Sequence, residues 1–191
     1  METTGLAIGL VERCLRRALF LSLLTLAPLA SAQTITVTLD LQSSVAGKVG
    51  SISLSGQSFG SGIPLDPSSS NPAVAVIGRF QSATLAGDRA GALAAICPET
   101  QSEYADLVAE DDDLQFAADF LAPFTTRTAL SEIQFGNYFV LFAELKGPSV
   151  DRYIRNYAVK SVNGSMCMTM DLRGDPTYNT PVDLITASLG G

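Results

Sequence analysis

The chain has 191 residues, 47% of them hydrophobic, with 12 Lys and Arg against 19 Asp and Glu and a net charge of −7. It has no histidine and no tryptophan. Beyond Arg13, Arg16 and Arg17 its basic residues stand singly, which excludes the clustered Lys and Arg of a phosphate-binding face, and the lack of histidine excludes a Ser-His-Asp triad and a His-ligated zinc site.

Arg13, Arg16 and Arg17 precede an apolar run, Ala18 to Leu29, that ends in Ala30-Ser31-Ala32. That is the order of charge, grease and small residues that signal peptidase reads, so residues 1–32 are expected to be a cleavable secretory signal, with the working protein starting near Gln33. The run is about a dozen residues where a membrane span needs roughly 20, and Pro28 interrupts it. Cys14 lies upstream of the run, where a lipoprotein cysteine does not occur. Cleavage removes Glu2, Glu12 and the three arginines and leaves 9 bases against 17 acids, a net charge of −8. The expected location is therefore exported, periplasmic or extracellular, with neither nucleic acid nor membrane as a partner of the cleaved chain. Cys97 and Cys167 are then the remaining cysteines, and an exported pair is expected to form a disulfide, with two separate buried thiols as the alternative. No metal site and no cofactor are expected.

In the working chain, Thr34–Leu41 alternates Ile35, Val37, Leu39 and Leu41 with polar residues, and Val49–Phe59 does so more loosely, so residues 33–59 are read as a β-strand segment. Residues 60–72 (GSGIPLDPSSSNP) have the Gly, Pro and Ser content of a linker. From Ala73 the period becomes helical: Val74, Ile77, Phe80 and Leu85 share a face, Gly87 is placed to stop the helix, and Asp88 can cap a second one carrying Leu93 and Ile96. A third amphipathic stretch carries Tyr104, Leu107 and Val108. A fourth carries Leu114, Ala117, Phe120, Leu121 and Phe124, and Pro123 marks its end.

Four strands follow, Thr128–Phe135, Tyr138–Leu145, Arg152–Val162 and Ser165–Leu172, joined by Gly136-Asn137, Gly147-Pro148-Ser149 and Asn163-Gly164. Such short links require an antiparallel meander, and Asn-Gly is a strong hairpin signal. The fold class is α+β, helices packed on a bent antiparallel sheet in residues 73–172, preceded by a short β extension and followed by a tail at 173–191. Strand Tyr138–Leu145 is apolar on both faces, which calls for a second covering layer, supplied by the N-terminal strands or by another subunit. If Cys167 faces the helices to reach Cys97, then Met166, Met168 and Met170 face outward. That arrangement favours a homodimer through the outer sheet face or a cover from the N-terminal strands.

The segments VIGRFQSATLAGDRAGALAAI (Val76–Ile96) and GNYFVLFAELKGPSVDRYIRNYAVKSVNGSMCMTMDL (Gly136–Leu172) carry a resemblance. The first is similar to the opening helix, Gly-Asp break and second helix of the nuclear transport factor 2-like superfamily, which includes ketosteroid isomerases and SnoaL-type polyketide cyclases. The second resembles that superfamily's last strands. The resemblance covers about half the chain and departs from the family in lacking Trp and His and in adding the N-terminal strands. It implies a cone-shaped pocket between helices and sheet that is catalytic, ligand-binding or filled.

Among candidate chemistries, Gly56-Gln57-Ser58-Phe59-Gly60 matches the G-x-S-x-G nucleophile pattern but has no histidine to serve it, and reads as a turn-rich loop. Glu110-Asp111-Asp112-Asp113 lacks the glycine and closing glutamate of a calcium loop and reads as an acidic turn whose last member caps the helix at Leu114. Arg173-Gly174-Asp175 and Asn163-Gly164-Ser165 spell an adhesion tripeptide and a glycosylation acceptor, both short enough to arise by chance. Tyr153, Arg155 and Tyr157 share a strand face by the period of two, as do Tyr138 and Glu144 on the neighbouring strand. If these faces line a pocket, Tyr138, Tyr153, Arg155 and Tyr157 would meet a small apolar ligand, and Glu144 with Tyr138 would be the base and donor of an enolising enzyme. The favoured reading is a non-enzymatic binding module for a small molecule or a protein. An isomerase or cyclase, and a surface module pairing through its N-terminal strands, are the alternatives.

Overall fold

The computed structural model describes residues 33–43, 47–107, 111–169, 182, 183, 185 and 186. The chain divides into Met1–Ser31 and Ala32–Gly191. Residues 1–32, expected to be a secretory signal, Val108, Glu110, Met170 and Arg173-Gly174-Asp175 lie outside the described residues. The rest is α+β. In chain order the strands and helices are β1 (Gln33–Ser43), β2 (Gly47–Pro64), α1 (Pro72–Leu85), α2 (Arg89–Ala94), α3 (Gln101–Leu107), α4 (Asp111–Leu121), β3 (Thr126–Phe135), β4 (Tyr138–Gly147), β5 (Val150–Val162) and β6 (Ser165–Met168). The six strands form one open sheet in the order β1-β2-β3-β4-β5-β6, antiparallel at every step. Among the described residues no helix is long and apolar enough to cross a membrane.

The helix boundaries follow from capping chemistry. Asn71 accepts hydrogen bonds from the backbone N–H groups of Ala73 and Val74 at 2.9 and 3.0 Å, and Pro72 starts α1 where a missing N–H costs nothing. Gly87, at φ 66°, follows the end of α1, and Asp88 accepts from Gly91 N–H at 2.9 Å to open α2. Asn163 and Gly164, both at positive φ, make the tight β5–β6 turn. The face that α1 buries differs from the periodic reading. Val74, Ile77 and Phe80 are buried as expected, but Leu85 is only half-buried while Gln81 and Thr84 are buried in its place. The acidic run also differs: α4 begins at Asp111, so Asp113 lies inside its first turn rather than capping it.

The N-terminal strands are not a separate extension. β2 continues through Gly60 to Pro64, five residues into the presumed linker, and pairs with β3 as far as Pro64↔Thr128. Its register shifts between Ser58 and Ile63, and Gly60 and Gly62 take positive φ there. A side chain at Gly62 would collide with Thr128, so these glycines let the strand step past an irregularity rather than loosen a tether. The G-x-S-x-G segment likewise lies within β2, with Ser58 paired to both β1 and β3, and not in a loop.

The main core lies between the helices and one sheet face, and includes Phe59, Val76, Ile77, Phe80, Leu141 and Val159. A second cluster lies on the opposite face: Leu54, Ile133, Val140, Phe142 and Val182, with Ile185 packed against it. The cover that the two-faced strand required therefore comes from Val182 and Ile185 in the C-terminal stretch. The N-terminal strands extend the sheet sideways, and β2 contributes Leu54 to this cluster.

Cys97 and Cys167 form a disulfide, with Cα atoms 4.9 Å apart. The helix-to-strand connection runs alongside β6: Cys97 N–H donates to the Met168 carbonyl at 2.7 Å and Met168 N–H donates to the Ala95 carbonyl at 2.8 Å, a parallel bridge. The sulfurs thus join two neighbouring segments along the sheet edge, and Cys167, opposite Lys160, need not face the helices. This reverses the expected methionine facing, because Met168 is part of the main core and Met166 packs against it.

Candidate functional site

Between α1, α4 and β5 the inner sheet face leaves a cavity of about 660 Å³, within the range of small-molecule sites. Its floor is buried: Gln81 and Thr84 from α1, Ile96 from the connection to the 3-10 turn at Pro98–Thr100, Leu121 from α4, Tyr157 from β5, and Met168. Phe80 and Tyr104 line it too, with ring centroids 5.7 Å apart in an edge-to-face contact. The rim is exposed and carries Asp113, Phe116 at 77% exposure and Tyr153 at 43%. Phe120 stands between floor and rim, 5.5 Å from Phe124 and 5.7 Å from Tyr153.

Of the residues singled out from the sequence, the structure brings Tyr153, Arg155 and Tyr157 together on this cavity. The Arg155 guanidinium lies over the rings of Phe120 and Tyr157, at 5.1 and 5.2 Å from their centroids. Gln81 Nε2 donates to the Tyr157 hydroxyl at 2.5 Å. Burial pushes the Tyr157 phenol above its ordinary pKa, against the opposing pull of Arg155, the Gln81 hydrogen bond and Arg127. It is therefore a neutral phenol at physiological pH.

Tyr138 and Glu144 are not part of this site. In β4 the residues opposite Tyr157, Arg155 and Tyr153 are Leu141, Ala143 and Leu145, while Glu144 lies opposite Ile154 and Tyr138 opposite Lys160. By the period of two they belong to the other face, with Val140 and Phe142. Glu144 is held there by Lys146 and Arg152, each at 2.6 Å, and its pKa is lowered first by the Lys146 hydrogen bond and further by Arg152. An ion-paired carboxylate on the far face cannot act as a base in the cavity. Lys160 reaches over the Tyr138 ring at 5.2 Å and pairs with Glu99 at 2.6 Å.

Gln81, Thr84 and Phe116 line the cavity without having been singled out in the sequence, and Asp113 was read there only as a helix cap. Gln81 is 1% exposed, and its Oε1 has no hydrogen-bond partner. A buried polar atom left unpaired costs on the order of 1–3 kcal/mol, so it marks a position where another group belongs. The signal was present in the sequence: Gln81 and Thr84 interrupt the buried stripe of Val74 and Ile77 at helical spacing. Among the described residues no three His, Cys, Asp or Glu side chains are grouped as metal ligands.

No family model, curated protein or solved structure matches this chain. What the cavity does is accordingly read from its own chemistry.

Proposed function

We propose that this is an exported, non-enzymatic binding module that holds a small, largely apolar molecule between its helices and its sheet. The observation that carries the reading is the cavity itself: about 660 Å³, walled by aromatic rings, with the unpaired Gln81 Oε1 at its floor. Apolar walls supply affinity, and a few fixed polar groups supply orientation. The carboxylate that lines the cavity, Asp113, is exposed at the rim, and the intended base, Glu144, is on the other face, which favours binding over enolisation. The disulfide supports an oxidising compartment, periplasmic or extracellular. Membership of the nuclear transport factor 2-like superfamily belongs to this proposal, and helices packed over one face of an antiparallel sheet support it.

The test is titration with neutral 2-naphthylmethanol, followed by tyrosine fluorescence or calorimetry. Saturable one-to-one binding that is lost in Ala117→Trp, which fills the cavity from α4, is expected. Absence of saturation at millimolar probe overturns the reading.

One observation favours a second reading. Among the described residues β1 has a strand neighbour on one side only, so Gln33–Ser43 presents a pairing edge, as a surface module that recruits an extended segment would.

A further inference from the structure

We infer that the cavity selects an aromatic carboxylate, a flat apolar molecule whose acidic end meets Arg155. This rests on the binding reading above and names the ligand class for the same site. Arg155 lines the cavity, and among the described residues it has no carboxylate partner, being held instead by the faces of Phe120 and Tyr157. A guanidinium already fixed by rings loses little freedom when it meets an acid, and its planar fork matches the two oxygens of a carboxylate.

A second guanidinium reinforces that end. Arg127 in β3 sits opposite Leu145, which in turn sits opposite Tyr153, so it shares the inner face. Its Nη1 is buried without a partner, and it is close enough for its charge to act on Tyr157, as the charge of Arg155 does. Two guanidinium groups thus act on Tyr157 at this end of the cavity, in a chain whose net charge is −7. Among the described lining residues the acid is Asp113, which stands at the exposed rim.

Gln81 supplies the complement. Its amide spends one end on Tyr157 and leaves the other unpaired. Turned over, with Tyr157 donating to Oε1, the same amide offers its N–H group to the space beside Arg155. A carboxylate there satisfies the guanidinium and the amide together, while the aromatic body of the ligand packs among Phe80, Tyr104 and Phe120.

The experiment compares three probes of one shape on the disulfide-bonded protein at fixed ionic strength: 2-naphthoate, 2-naphthylmethanol and 2-naphthylmethylammonium. The expected order is naphthoate tightest, by about tenfold or more over the alcohol, as suits a charge-assisted pair in a partly buried site, with the ammonium weakest. Arg155→Gln removes the preference for naphthoate, read as the ratio of naphthoate to alcohol affinity within the same variant. Arg155→Lys, which keeps the charge but loses the fork, retains a reduced preference and covers the case in which the Gln variant fails to fold. Equal affinity for all three probes, an ammonium that binds best, or an undiminished preference in Arg155→Gln overturns the inference while leaving the binding module intact. Failure of all three probes to bind overturns the binding reading itself.

Discussion

Reducing the Cys97–Cys167 disulfide perturbs the chain at one point and is expected to lower stability without changing the native structure. The bridge closes a sequence separation of 70 residues. In the chain-entropy treatment a loop of that length restricts the unfolded state by roughly 15 cal/mol/K, or about 4 kcal/mol at 25 °C. With a urea dependence of about 2 kcal/mol per molar for a domain of this size, the unfolding midpoint should fall by about 2 M. The native geometry should survive, because the Cys97 N–H to Met168 carbonyl bond and the Met168 N–H to Ala95 carbonyl bond hold the same two segments side by side without the sulfurs. The assay is urea unfolding followed by far-UV circular dichroism, with and without a phosphine reductant. Reduction is a cleaner perturbation than substitution, since Cys97 is fully buried and truncating it would add a packing defect. A midpoint unmoved by reduction would refute the entropic reasoning. Loss of the native spectrum on reduction without urea would show that the sulfurs, rather than the two backbone bonds, hold the connection to β6.

Three further outcomes are expected. Burial raises the pKa of Glu132 above its ordinary 4.5, with the Asn71 hydrogen bond opposing, so the folded state binds a proton more readily than the unfolded one. The stability this contributes is present below the unfolded pKa and is lost as pH rises through the folded one; Glu132→Gln should therefore raise the thermal midpoint at pH 7 and flatten its fall just above pH 4.5. Gly78→Ala should destabilise α1 although alanine is the better helix former by about 1 kcal/mol, because the added Cβ would meet the Asp66 and Pro67 backbone, and overpacking costs about 1–3 kcal/mol; a raised midpoint would contradict the close approach. Val182→Ala, which trims a side chain 2% exposed against Leu54, Ile133, Val140 and Phe142, should cost about 2 kcal/mol in denaturant unfolding, and an unchanged midpoint would show that the outer face does not depend on this contact.

The parts of the fold that rest on local chemistry could be read from residues alone. Gly87 and Asp88 divide α1 from α2, and Asn163-Gly164 turns β5 into β6, because caps and tight turns depend on a few neighbouring side chains. The face shared by Tyr153, Arg155 and Tyr157 followed from the period of two in one strand. The facing of β4 did not, since a strand apolar on both sides has no alternation to orient it, and the conditional pairing of Glu144 with Tyr138 in a pocket rested on that facing. The methionine row was inverted by assuming that a helix-to-sheet disulfide must cross between layers. Cys97 instead runs beside β6 as an extra strand would. Residues 60–64 have the composition of a linker because the register shift in β2 needs glycine, and Val182 went unnoticed in a stretch whose prolines suggested a tail. Gln81 is the instructive omission: one polar residue in an apolar helical stripe is what a ligand site looks like before its ligand is considered.

The most direct test of the central claim is to locate a bound aromatic molecule by nuclear Overhauser contacts from 2-naphthylmethanol. Contacts to the Met168 methyl and to the rings of Phe80, Tyr104 and Phe120 are predicted, since these side chains surround the cavity between helices and sheet. Contacts confined to Val140, Phe142 and Val182 on the opposite face, or none at saturating probe, would contradict the account.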